Sequence, residues 1–233
     1  MTKDMTTGNP VKLILFFSIP LLIGNVFQQF YSMVDTIIVG RYVGVQALAA
    51  VGVTGSLSFL ILGFTFGLTG GFSVIIAQRF GANDEDGLRK SVATSTILSI
   101  ISTIIITLAS MLSAKPVLSL MNTPDDIIND ATIYIIIIYA GTCATVFYNM
   151  ISGILRSLGD SKTPLYFLIL SSILNIILDL FFILNFNMGV RGAAYATVIA
   201  QGISDILCLI YALKKYPILR LKKKIGYGIK ILL

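Results

Sequence analysis

Six long apolar runs, at roughly 13–39, 47–78, 92–113, 132–155, 165–186 and 193–213, alternate with short polar breaks along this chain. About 20 apolar residues carry a helix across a hydrocarbon core, so each run predicts one spanning helix. The second run is longer than a span needs, which predicts a tilt or a start outside the hydrocarbon. The breaks hold the turn formers and the charges: GRYVG at 40–44, GANDEDGLRK at 81–90, a stretch with Pro116 and Pro124, RSLGDSKTP at 156–164 and NFNMGVRG at 185–192. The predicted fold class is an all-α membrane protein, a bundle of six transmembrane helices at 13–213. It is flanked by a short N-terminal segment, 1–12, and a basic tail, 214–233.

Two aspartates interrupt the apolar runs. Asp35 lies in the first and Asp179 in the fifth. A carboxylate near mid-bilayer costs roughly 2.5 to 3.5 kcal/mol on insertion scales, and intramembrane acids usually face a bundle interior where they bind cations or relay protons. Both runs point the same way, so the two acids fall at similar depth. Asp35 is followed by GVQALAA from Gly44 and Asp179 by GVRGAAY from Gly189, a short internal echo.

Other polar residues fall at spacings of three and four, which places them on helix faces. The first run carries Asn25, Gln28, Ser32, Asp35 and Thr36, and the fifth Ser171, Asn175 and Asp179. The sixth carries Thr197, Gln201, Ser204, Asp205 and Cys208, and the fourth Thr142, Thr145, Asn149 and Ser152. The simplest arrangement turns all four stripes toward one interior cavity. Isolated Ser and Thr residues read as interhelical glue at about 0.6 kcal/mol per bond. Glue needs no charge, which sets Asp35, Asn175 and Asp179 apart. Asp205, about nine residues before Lys214, fits either a functional group or an ion pair with a nearby base. Gly52, Gly55, Gly63, Gly67, Gly70 and Gly71 predict close packing of the second helix. Pro20 predicts a kink or a hinge in the first.

Composition agrees: 56% of residues are hydrophobic and 12% charged. The net charge of +6 resides in the breaks and the tail, so it speaks for membrane orientation and against nucleic acid. Cys143 and Cys208 both lie in apolar runs and read as small buried side chains, with no disulfide framework. No histidine is present, no nucleophile–base pair stands out, and no metal-ligand set is visible, so an enzyme is not expected.

The segments IPLLIGNVFQQFYSMVDTIIVGRYVG, GANDEDGLRKS, ILRSLGDSKTP, SILNIILD and GVRGAAYATVIAQ occur in this order across residues 10 to 215. In this series the chain resembles the N-terminal six-helix lobe of the multidrug and toxic compound extrusion (MATE) transporters. The resemblance implies one lobe of a twelve-helix fold in the cell membrane. It implies an antiporter coupled to protons or sodium that exports amphipathic or cationic organic compounds, with no other cofactor. It assigns cation coupling, and any sodium, to Asp35, Asn175, Asp179 and Thr197. It assigns a substrate cavity to Gln28, Tyr134 and Asn149, to which the sixth-run stripe adds Gln201, and a hinge to Pro20. Such a fold has a second lobe. The last apolar stretch before Leu233 is too short to span, so the expectation is a piece of a longer transporter, completed by a C-terminal lobe or by a second copy. Alternatives are a lipid-linked precursor flippase of related architecture, disfavoured because no Lys or Arg lies deep in a run, and a non-transporting fragment or assembly partner.

Lysine and arginine crowd the breaks on one side. With the N-terminus inside, the inner segments hold Lys3, Lys12, Arg79, Arg89, Lys90, Arg156, Lys162 and the tail, against Arg41, Lys115 and Arg191 outside. This asymmetry predicts both termini in the cytoplasm. Single-cysteine labelling from outside is expected to reach positions 44, 123 and 188; labelling at 84 or 222 from that side would overturn the topology.

Overall fold

The computed structural model describes residues 8–219. The ends of the chain, including Lys222 and most of the basic tail, lie outside the described residues. Those described form seven α-helices: α1 (Pro10–Tyr42), α2 (Val45–Gly81), α3 (Glu85–Leu120), α4 (Ile128–Ala140), α5 (Thr142–Ser157), α6 (Lys162–Leu180) and α7 (Gly189–Lys215). Five are long and apolar enough to cross a bilayer, and α4 with α5, bent by 42° at Gly141, make a sixth span. The six predicted spans are therefore present, with two differences. The fourth run is two half-helices, and the fifth ends in a π-helical turn, Phe181–Asn185.

Local chemistry sets the helix ends. Asn9 caps α1 by accepting from Val11 N at 3.0 Å, ahead of Pro10 in the first turn. Asp84 caps α3 through Gly87 N at 2.8 Å and holds Arg79 at 3.0 Å across the tight α2–α3 link. These contacts, the Gly87 amide first, keep its carboxyl below the usual range. At the opposite end Gly44 starts α2 with φ of 123°, a conformation glycine adopts without strain. The echo noted in the sequence has a structural counterpart, since Gly189, which opens α7, also has positive φ. Nine positions separate Asp35 from Gly44 and ten separate Asp179 from Gly189. The wider π turn accommodates the extra residue.

Packing is tight where residues are small. A side chain at Gly141 would strike Val198 of α7, and one at Gly153 would strike Ser73 of α2. The bend and the α2–α5 contact thus both depend on glycine. The six α2 glycines from Gly52 to Gly71 are different. Their missing side chains face open space, with nothing within 4 Å. The predicted close packing of that face is not made by the described residues. Most large apolar side chains point outward as well, Phe59 and Leu112 among them, as expected where lipid is the solvent. Cys208 is buried as expected, whereas Cys143 is exposed.

At the Lys215 end a polar clip ties α6 to α7. Asp160, just ahead of α6, accepts from Lys215 Nζ at 2.9 Å, the Tyr216 hydroxyl at 2.7 Å and the Thr163 hydroxyl at 2.6 Å. Burial pushes the Asp160 carboxyl up, but the bonds from Thr163, Lys215 and Tyr216 outweigh it and hold it down at about 2. A free aspartate titrates near ~3.9. The stabilisation is therefore complete above about pH 4 and is lost as pH falls through about 2. Asp160→Ala is expected to lower stability by about 2 kcal/mol at neutral pH, measured by reversible unfolding in lipid or detergent. An unchanged midpoint would show the clip to be ornamental.

Candidate functional site

Asp35 and Asp179 meet. The first lies in the last two turns of α1, the second in the last turn of α6, and α1 packs along α6. Their carboxyl groups stand within hydrogen-bonding reach of one another. Asp179 is 0% exposed and Asp35 8%. One oxygen of each, Oδ1, has no hydrogen-bond partner. Two carboxylates cannot share such a contact bare; a proton or a bound cation must lie between them.

Neutral groups from four helices complete the site. Asn175 sits one turn before Asp179 and is fully buried. Oriented to match its neighbours, its amide donates to Asp179 Oδ2 at 2.8 Å, and its oxygen lies 3.3 Å from Thr197 Oγ1 of α7. Thr197 also accepts from the Tyr31 hydroxyl at 3.5 Å. Tyr134 of α4, buried against Ile38, Val39 and Ala193, lies within electrostatic reach of Tyr31 and both acids. The structure thus brings together Asp35, Asn175, Asp179 and Thr197, the four that the resemblance assigns to cation coupling, and sets Tyr134 beside them rather than with Gln28 and Asn149. It adds Tyr31, whose sequence signal was its place one helical turn before Asp35.

Gln28, Asn149 and Pro20 lie elsewhere. They line a cleft of about 240 Å³ between α1, α5 and α6, walled by Gly24, Leu165, Leu168, Phe66 and Tyr148. The one charged residue among those lining it is Arg156. Gln201 belongs to neither group; its amide donates to Asp205 at 3.3 Å. The expectation of one cavity gathering all four polar stripes is therefore corrected. On α1, Asn25, Gln28, Ser32 and Thr36 are exposed. Ser32 and Thr36 satisfy their hydroxyls by donating to the carbonyls one turn back, at 3.1 and 2.7 Å, so they need no shared cavity.

The MatE family profile matches residues 20–181, a stretch that contains the α1 and α6 acids and Asn175. The chain belongs to the MatE family. It is 35% identical over 211 residues to the probable multidrug resistance protein YpnP of Bacillus subtilis (strain 168), covering 91% of this chain and 47% of that protein. It is 28% identical to the probable multidrug resistance protein NorM of Thermotoga maritima, covering 91% and 46%. Among solved structures it superposes on a MATE transporter crystallised in the bent conformation with a TM-score of 0.87 at 33% identity, covering 96% of this chain and 50% of that one. The straight conformation matches with a TM-score of 0.85 at 33% identity. The chain thus spans about half the length of the MatE relatives it matches, and the matched half is one lobe. This MatE lobe is a multi-pass membrane protein of a transporter family.

Thr197 is the hub between the neutral partners. Thr197→Val leaves the Tyr31 hydroxyl and the Asn175 amide each short of one bond, expected to cost about 1 to 2 kcal/mol. Thermal unfolding of the purified variant checks this, and an unaltered melting temperature would dissolve the hub.

Proposed function

We propose that this chain is the N-terminal lobe of an antiporter that exports amphipathic or cationic organic compounds in exchange for protons or sodium, with both termini of the lobe cytoplasmic. The reading rests on one observation: two buried carboxyl groups, from α1 and α6, face each other inside membrane-spanning helices with no basic residue paired to either among the described residues. Such a pair holds a coupling cation in one state and is open to a cationic substrate in another. Competition between the two for one negative site is antiport, with each ligand biasing a two-state structure. Asn175 and Thr197 supply neutral oxygens to the coupling ion. Gln28, Asn149 and Gln201 offer polar contacts to the substrate, and Pro20, which lines the same cleft as Gln28, is the point where α1 bends.

Arg156 at the cleft bears on the flippase alternative, because an anionic substrate needs a base. It stands in the last turn of α5, toward the end of the bundle opposite the acids, and so does not reverse the sign of the paired-carboxylate site. The domain division follows the same reading, with the helical bundle as the working body. Alternating access needs two bodies rocking around the site. The lobe alone is expected to bind substrate without moving it against a gradient; a C-terminal lobe or a second copy supplies the counterpart.

In the two-lobe transporter, Asp35→Asn and Asp179→Asn are each expected to reduce cation-driven efflux at least 100-fold, with membrane insertion intact. Vesicle assays under separate proton and sodium gradients measure this and identify the ion. Efflux at the parental rate in both variants would sink the proposal.

A further inference from the structure

A third acid lies buried in the membrane-spanning part of the bundle. Asp205 of α7 is 5% exposed. It sits two turns from Thr197 toward the Lys215 end, about 12 Å along the helix. The sequence allowed a pairing with the basic residues that end α7; of these, Lys215 is engaged elsewhere, its Nζ binding Asp160 at 2.9 Å. Among the described residues Asp205 forms no salt bridge. Its Oδ1 accepts from Gln201 Nε2 at 3.3 Å, and its Oδ2 is buried with no partner.

The surroundings are polar and incompletely bonded. The Tyr148 hydroxyl of α5, which donates to the Pro164 carbonyl at 3.0 Å, lies beside Ser152 and within electrostatic reach of Asp205 and Cys208. Ser152 Oγ and Asn149 Nδ2, on the same turn of α5 as Tyr148, are buried without hydrogen-bond partners. The charged groups nearest this region are Arg156, which acts on Tyr148, and Asp160, which acts on Cys208 and is itself neutralised by Lys215. Ser204, beside Asp205, is engaged with the Phe167 carbonyl of α6.

A bare carboxylate buried this deeply with no basic partner costs several kcal/mol. Something must neutralise it. Sodium prefers a shell of oxygens, whereas the group bonded to Asp205 is the amide N–H of Gln201. A proton on the carboxyl removes the charge and turns the unpartnered oxygen into a donor. We propose that Asp205 is a third proton-carrying carboxyl of the lobe, standing between the Asp35–Asp179 pair and the Lys215 end of α7. The proton comes from water at that end and returns there; no other bond changes. A part for this site in antiport rests on the function proposed above, whereas its protonation does not.

Infrared spectroscopy of the full chain in lipid nanodiscs tests the proposal through the carbonyl stretch of protonated carboxylic acids at neutral pH. Asp205→Asn is expected to remove one component of that band. The Asp35→Asn/Asp179→Asn double variant is expected to keep it, so a failure of the antiport reading leaves this result untouched. Gln201→Leu, which deletes the bonded donor and keeps Asp205, is expected to shift the same component to higher frequency and serves if Asp205→Asn does not insert. A band identical in the parent, Asp205→Asn and Gln201→Leu would overturn the proposal, as would loss of the component on adding sodium at fixed pH.

Discussion

Hydrocarbon offers a carboxylate neither water nor counter-ions, and the arrangement of this bundle follows from meeting that constraint at Asp35 and Asp179. Each acid alone would be a liability of a few kcal/mol. Brought face to face they create one site that demands a single cation or proton. The demand places α1 against α6, and Asn175 fixes the second acid by donating to it at 2.8 Å. Thr197 then draws in α7, and Tyr134 draws in α4. Four helices converge on one point, and the apolar cluster of Ile38, Val39, Ala47, Ile183 and Ala193 seals around it.

The opposite end of the bundle is held by different means. Helices α2, α3, α5 and α7 enclose Ile76, Leu88, Ile154, Leu155, Leu158 and Ala212. Asp160 clips α6 to α7 at the water-facing edge, where a full ion pair is tolerable. The two ends therefore differ in kind. One carries an acid pair without a base, and the other an acid that four donors satisfy.

The spans and the acids were legible in the sequence because both signals are energetic. Apolar length and a charge in lipid each cost too much to arise idly. The meeting of Asp179, Asn175 and Thr197 was legible from spacing and resemblance together. Other features were hidden. Ser32 and Thr36 look like a cavity stripe, yet they bond to their own helix, and periodicity cannot see a backbone acceptor. The α2 glycines suggest a packed face, yet no neighbour occupies it, because the pattern says only that a backbone can be approached. Tyr31 was overlooked since a tyrosine in an apolar run carries no charge penalty. The break at Gly141 depends on the proximity of Val198, 57 positions along the chain, and no local signal marks such a contact.

Helix α1 has a mechanical character of its own. Its buried residues are Asp35, Ile38 and Val39 near one end, with Pro20 alone farther down. It is therefore held like a lever at its fulcrum. From Asp35 to Pro10 the arm is about 38 Å long. A rotation of about 10° at the fulcrum displaces the Pro10 end by about 7 Å, roughly the width of a side chain. On the function proposed above, a change at a site no larger than a single ion is magnified along α1, by tilting or by bending at Pro20, into a displacement on the scale of an organic molecule.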